Sequence, residues 1–140
     1  MNKINRRVVI TGVGAVTPLG TGAELFWQNL IAGKSGVRTI QAFEPDGIDY
    51  KIAAEVRDYD AAKFVKQRKT LKLMSRDIQL AMGGAAMAVQ DSGIDLEAID
   101  KLKFGVNYGA GLIATELGEI SGAVRATANS SHHVDLKEWG

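Results

Sequence analysis

The residues of this chain that could do chemistry fall into three glycine clusters, one run of cations and one polar segment holding both histidines. Gly12-Val13-Gly14-Ala15-Val16-Thr17 follows an apolar run, as a dinucleotide fingerprint would. Thr17, however, stands where a third Gly or Ala is needed for close helix packing, and Pro18 opposes a helix start. Gly33-Lys34-Ser35-Gly36 resembles the end of a phosphate-binding loop, but that motif needs glycine where Gln28 sits and a helix after it rather than before. Gly109-Ala110-Gly111-Leu112-Ile113-Ala114 fits G-x-G-x-x-A, follows a predicted strand and opens a predicted helix. Gly109, Gly111 and Ala114 therefore carry a dinucleotide-binding alternative. Its acidic partner would be Asp135, yet residues 129–133 offer no strand to hold it. A tight strand-to-helix turn explains the same glycines.

Lys63, Lys66, Arg68, Lys69, Lys72 and Arg76 place six positive charges within 14 residues with no acid among them. Helical spacing sets Lys69 and Lys72, or Arg68 and Lys72, on one face. Such a patch can dock an acidic protein or a phosphate, and it also fits a solvated helix face. His132 and His133 follow Ser130 and Ser131, but adjacent side chains diverge and no nucleophile elbow surrounds either serine. No catalytic residue, metal ligand or cofactor site is assigned to these 140 residues.

Composition narrows the chemistry further. There is no cysteine, so the sequence has no disulfide, no thiolate metal site and no thiol nucleophile. Seventeen Lys plus Arg against 16 Asp plus Glu leave a net charge of +1, which favours neither nucleic acid nor membrane surfaces globally. The basic start, Met1 to Arg7, leads into a short β-branched run rather than a signal-peptide core. No apolar stretch approaches membrane-spanning length. The expectation is a cytoplasmic protein without membrane insertion.

Elements that would position these groups can be read from periodicity. Val8–Val16 is apolar on both faces and predicts a strand buried in a parallel sheet, as does Lys103–Tyr108. Ala23–Ala32, stopped by Gly33, predicts a helix, and residues 34–50 read as loop. Lys51–Val56 predicts a short strand and Asp60–Val65 a brief helical piece. The stripe Met74, Ile78, Ala81, Met82, Ala85, Val89, closed by Asp91-Ser92-Gly93, predicts a long buried helix. Gly83 and Gly84 would weaken it unless another element packs very close. Glu116–Ala126 predicts a last helix. Phe26, Trp27, Phe64, Met74, Met82 and Met87 are expected in the core. The order strand, helix, strand, helix, strand, helix indicates an α/β layer.

Several of these segments together resemble one family. Arg6-Arg7-Val8-Val9-Ile10-Thr11-Gly12-Val13-Gly14-Ala15-Val16-Thr17-Pro18-Leu19-Gly20 is close to the start of a β-ketoacyl-acyl carrier protein synthase. Phe26-Trp27 through Gly33-Lys34-Ser35-Gly36-Val37 resembles that family's W-x-x-L-x-x-G-x-S-G-I segment. Ile78 through Gly93-Ile94 is similar to its long buried helix and cap, and Phe104 to Gly111 to its next core strand and glycine turn. Order and gaps agree over nearly the whole sequence.

The resemblance implies a thiolase-like α/β fold in α-β-α-β-α layers, of which residues 1–140 would be part of the N-terminal half, ending before the family's cysteine. It implies a homodimeric acyltransferase that performs a decarboxylating Claisen condensation in fatty-acid or polyketide biosynthesis, with acyl carrier protein as partner. By the resemblance, Arg68, Lys69 and Lys72 would dock the acidic carrier, and Leu112 would gate the acyl pocket. His132 and His133 do not match the family's catalytic histidines. Extra residues between Gln67 and Met74 blur which cations correspond. A second reading is a non-catalytic module that holds carrier protein without chemistry.

Overall fold

The computed structural model describes residues 7–111, 117–128, 133–135 and 137. The chain opens with an extended segment, then a small antiparallel hairpin, β1 (Val16–Thr17) and β2 (Gly20–Thr21), registered Val16 to Thr21 and Thr17 to Gly20. Pro18 and Leu19 make its turn. The Thr17 hydroxyl accepts from the Leu19 N–H at 3.2 Å and donates to the Gly20 carbonyl at 3.1 Å.

Helix α1 (Ala23–Ile31) follows. Gly33, at φ 65°, ends it as the sequence predicts. The Lys34 N–H reaches back to the Asn29 carbonyl and the Gly33 N–H to that of Leu30, each at 3.0 Å, which satisfies carbonyls the helix leaves open. Asn29 also ties α1 to the hairpin, its amide donating to the Leu19 carbonyl at 2.6 Å.

A second antiparallel pair, β3 (Val37–Thr39) and β4 (Ile52–Ala54), brings residue 37 opposite 54. A 3-10 turn at Ala61–Lys63 and the short α2 (Arg68–Leu71) lead into α3 (Arg76–Ser92), which Gly93 closes in the left-handed conformation at φ 64°. Another 3-10 turn, Lys101–Lys103, precedes residues 104–111. Helix α4 (Leu117–Thr127) comes last.

The glycines of the first cluster work as packing devices. A Cβ on Gly14 would fall on the Gly84 carbonyl, and one on Gly12 on the Ala88 carbonyl and within 2.8 Å of the Ser92 side chain. Residues 84, 88 and 92 form one face of α3, so the extended segment crosses that face at backbone contact. On the other side, Gly83 is buried against the Tyr59 ring. Gly83 therefore has the close neighbour its glycine requires, Tyr59, whereas a Cβ on Gly84 would meet nothing within 4 Å and the glycine demanded at that crossing is Gly14.

Three expectations are corrected. Among the described residues there is no three-stranded parallel sheet. Residues 8–15 and 103–108 run without strand pairing, leaving Val8 92%, Ile10 86% and Val106 74% exposed. A strand exists only through hydrogen bonds to a neighbour, and apolar content on both faces supplies none. Residues 34–50 hold β3, not loop alone. Trp27 is 56% exposed rather than core, because only the inner face of α1 meets the β1–β2 hairpin. Among the described side chains, Tyr59, Ala61 and Val65 make the buried apolar centre.

Candidate functional site

The cation run occupies the short stretch between that buried centre and α3. Asp60 caps the 3-10 turn by accepting from the Ala62 N–H at 2.9 Å, and Ala61 and Val65 point inward beneath it. Helix α2 packs on this turn. Its start is fixed at the Gln67 carbonyl, which accepts from the Thr70 N–H at 3.0 Å and the Thr70 hydroxyl at 2.7 Å. Arg68 and Lys69 project from α2, and Lys72 caps its C-terminal end, where a cation complements the helix dipole.

Arg68, Lys69 and Lys72 are exposed, as are Lys63 and Lys66. The ion pairs among the described residues join Arg57 to Glu55, Lys101 to Glu97 and Lys103 to Asp100, so none neutralises these five cations. Arg76 is different. Its guanidinium donates to the Val56 carbonyl at 2.9 Å and lies 5.3 Å from the Tyr59 ring centroid. The six-cation run thus divides into an exposed patch of five and one arginine built into the fold.

Tyr59 is the organiser that residue spacing does not reveal. Its ring stacks on Phe64 at 5.6 Å, and its hydroxyl donates to the Gln79 carbonyl inside α3. Burial pushes its phenol above the ordinary range, opposed by the Arg76 charge and the Gly83 N–H. The only sequence signal was an aromatic residue between Asp58 and Asp60, ahead of two alanines.

Gly109–Gly111, the described part of the third glycine cluster, lie beside the N-terminal half of α3. The Tyr108 hydroxyl donates to the Ala81 carbonyl at 3.1 Å. An open apolar groove of about 450 Å³ runs between Ile78, Ala81 and Met82 on one side and Tyr108, Gly109 and Gly111 on the other. No strand leads into this turn, and a Cβ on Gly109 or Gly111 would meet nothing within 4 Å. Leu112 and Ala114 lie outside the described residues, as do Ser130, Ser131 and His132. Among the described residues no group of three His, Asp or Glu side chains could hold a metal ion. Among them, too, no helix is long and apolar enough to cross a membrane.

A second cavity, of about 300 Å³, lies between the β1–β2 hairpin, α1 and the β3–β4 pair. Glu55 closes one side, accepting from the Gln41 and Ala42 N–H groups at 3.1 and 2.9 Å and from Arg57 at 2.8 Å. Those two backbone donors, with Arg57, hold its carboxyl below the usual range. Arg57 in turn donates to the Thr39 carbonyl at 2.6 Å. This is a structural clasp on the β3–β4 pair.

The β-ketoacyl synthase N-terminal domain family matches residues 5–136. The chain belongs to that family. A 3-oxoacyl-[acyl-carrier-protein] synthase 2 from Coxiella burnetii is 43% identical over 107 residues, covering 76% of this chain and 26% of the relative. The tetracenomycin polyketide synthase ketoacyl synthase beta subunit of Streptomyces glaucescens is 39% identical over 112 residues, covering 80% and 27%. Among solved structures, the ishigamide ketosynthase/chain length factor superposes with a TM-score of 0.61 at 38% identity, covering 66% of this chain and 23% of that one. The β-ketoacyl synthase fold class expected from the sequence, α/β and thiolase-like, is therefore shown. The chain spans about a quarter of the length of these relatives.

Proposed function

We propose that this sequence is the carrier-facing N-terminal part of a β-ketoacyl-acyl carrier protein synthase, a cytoplasmic homodimer acting in fatty-acid or polyketide biosynthesis. The whole protein transfers an acyl group from carrier protein to a cysteine thiolate. Malonyl-carrier protein then loses CO₂, its carbanion attacks the acyl thioester, and the thiolate leaves. The product is a β-ketoacyl-carrier protein two carbons longer. No cysteine is present in these 140 residues, so the nucleophile comes from elsewhere in the protein.

The observation that supports this reading is the set of five exposed cations that join no ion pair among the described residues, presented on a packed turn inside a chain of this family. Arg68, Lys69 and Lys72 form its centre and receive the acidic face of the carrier. Electrostatic attraction of this kind raises association rates and weakens with salt. Leu112, one residue beyond the groove-lining Gly111, gates the acyl pocket in the same proposal.

The test is condensation by the full-length protein with acyl- and malonyl-carrier protein. CO₂ release with a two-carbon extension is expected; absence of both overturns the condensing activity. A second reading, carrier binding without chemistry, draws on the missing cysteine. Carrier affinity without turnover in the full-length protein would favour it. The dinucleotide alternative at Gly109, Gly111 and Ala114 loses its main support, since no strand feeds that turn.

A further inference from the structure

One apolar side chain stands inside the cation patch. Leu73 is 86% exposed. Val8 and Ile10, similarly exposed, lie in an unpaired extended segment, and Leu102 lies on the Lys101–Lys103 turn, whose two lysines pair with Glu97 and Asp100; Leu73 sits on a helical turn whose lysines join no ion pair among the described residues. Helical backbone continues through Lys72 at φ −68° and ψ −19°, and the Leu73 N–H donates to the Thr70 carbonyl at 3.0 Å. Residues 69, 72 and 73 therefore share one face of this turn, while Thr70, Leu71 and Met74 are partly covered on the other. The face turned outward thus joins two lysines to one leucine.

We propose that Leu73 is an apolar pin in the docking face, seating in a hollow of an acidic partner surface while Lys69 and Lys72 pair with the acids around it. This rests on the carrier-docking reading above and adds to it the shape of the partner: acidic with an apolar recess, rather than acidic alone. Charge complementarity identifies the partner class, because Lys69 and Lys72, which join no ion pair among the described residues, share the leucine's face and disfavour any basic or wholly apolar occupant. Removing an apolar anchor acts mainly on dissociation and leaves the salt dependence of binding in place.

The experiment measures the dissociation constant of the full-length protein for holo-acyl carrier protein at low and at physiological salt. It compares Leu73→Ser, Leu73→Met and the double variant Lys69→Glu/Lys72→Glu. Leu73→Ser is expected to weaken binding about tenfold at both salt levels, with Leu73→Met close to the parent. The double variant should lose binding and most of its salt dependence. Unchanged binding by Leu73→Ser alongside loss in the double variant overturns the pin and leaves the docking reading intact. Unchanged binding by both overturns the docking reading as well. A lower melting temperature for Leu73→Ser with normal carrier affinity also overturns the pin, since the leucine would then be covered by the protein's own remainder.

Discussion

The Val13 N–H donates to the Asp91 carboxylate at 2.8 Å, joining the first glycine cluster to the last turn of α3 across 78 residues of sequence. Asp91 can accept there because Gly12 and Gly14 let the extended segment lie on the helix backbone. Replacing Asp91 with Ala leaves the Val13 donor without its charged partner and should lower stability by about 1–2 kcal/mol in urea unfolding. Asp91→Asn keeps an acceptor oxygen and should recover part of that loss.

Gly14→Ala should be far more damaging than its size suggests. Its methyl group would meet the Gly84 carbonyl, backbone against backbone, with no flexible side chain to yield. A loss of about 3 kcal/mol is expected in denaturant titration. Gly33→Ala faces open space and only the positive φ of 65°, so its cost should stay at about 1–2 kcal/mol.

Tyr59→Phe removes the bond to the Gln79 carbonyl but keeps the stack on Phe64 and the face beneath Arg76. The expected loss is about 1 kcal/mol. Tyr59→Ala also empties the buried centre, and about 3–5 kcal/mol should follow. Comparing the two by thermal unfolding separates the hydroxyl from the ring.

Glu55 makes the β3–β4 clasp sensitive to acid. Its carboxyl sits below the ordinary range because two N–H groups and Arg57 favour the charged form. A depressed folded pKa contributes stability that is fully present above the unfolded value and is lost as pH falls through the folded one. Stability should therefore be flat from neutral pH down to about pH 5 and fall below about pH 4. Glu55→Gln should flatten that fall; an unchanged acid limb would assign it to other carboxylates.

Charge reversal at Arg68, Lys69 and Lys72 together should abolish carrier binding by the full-length protein without changing its melting temperature. All three are exposed, and none joins an ion pair among the described residues. Retained affinity in a binding titration would remove the docking assignment.

Helices were readable in the sequence because their hydrogen bonds close within the segment. The stripe from Met74 to Val89 and the Gly93 cap place α3 to within two residues at its start and on its last residue. Gly33 likewise marks the end of α1. Strands were less readable because pairing belongs to two segments at once. Val8–Val16 has strand composition and only its last residue paired, whereas Val37-Arg38-Thr39 lies among Gly36, Pro45 and Gly47 and is paired through Ile52–Ala54. The cation run was legible as charge, but Arg76 could be separated from the others only by its place over Tyr59.

The Tyr59 cluster also bears on the order of events during synthesis. Tyr59 to Gln79 and Arg76 to Val56 each span 20 residues, so the contacts that shape the cation-bearing turn close short loops. Closing such loops carries little entropy and takes well under a microsecond for a segment of about ten residues. Residues 56–79 can therefore settle while later parts of the chain are still being made on the ribosome. The face offered to a partner would then take shape before the domain around it is complete.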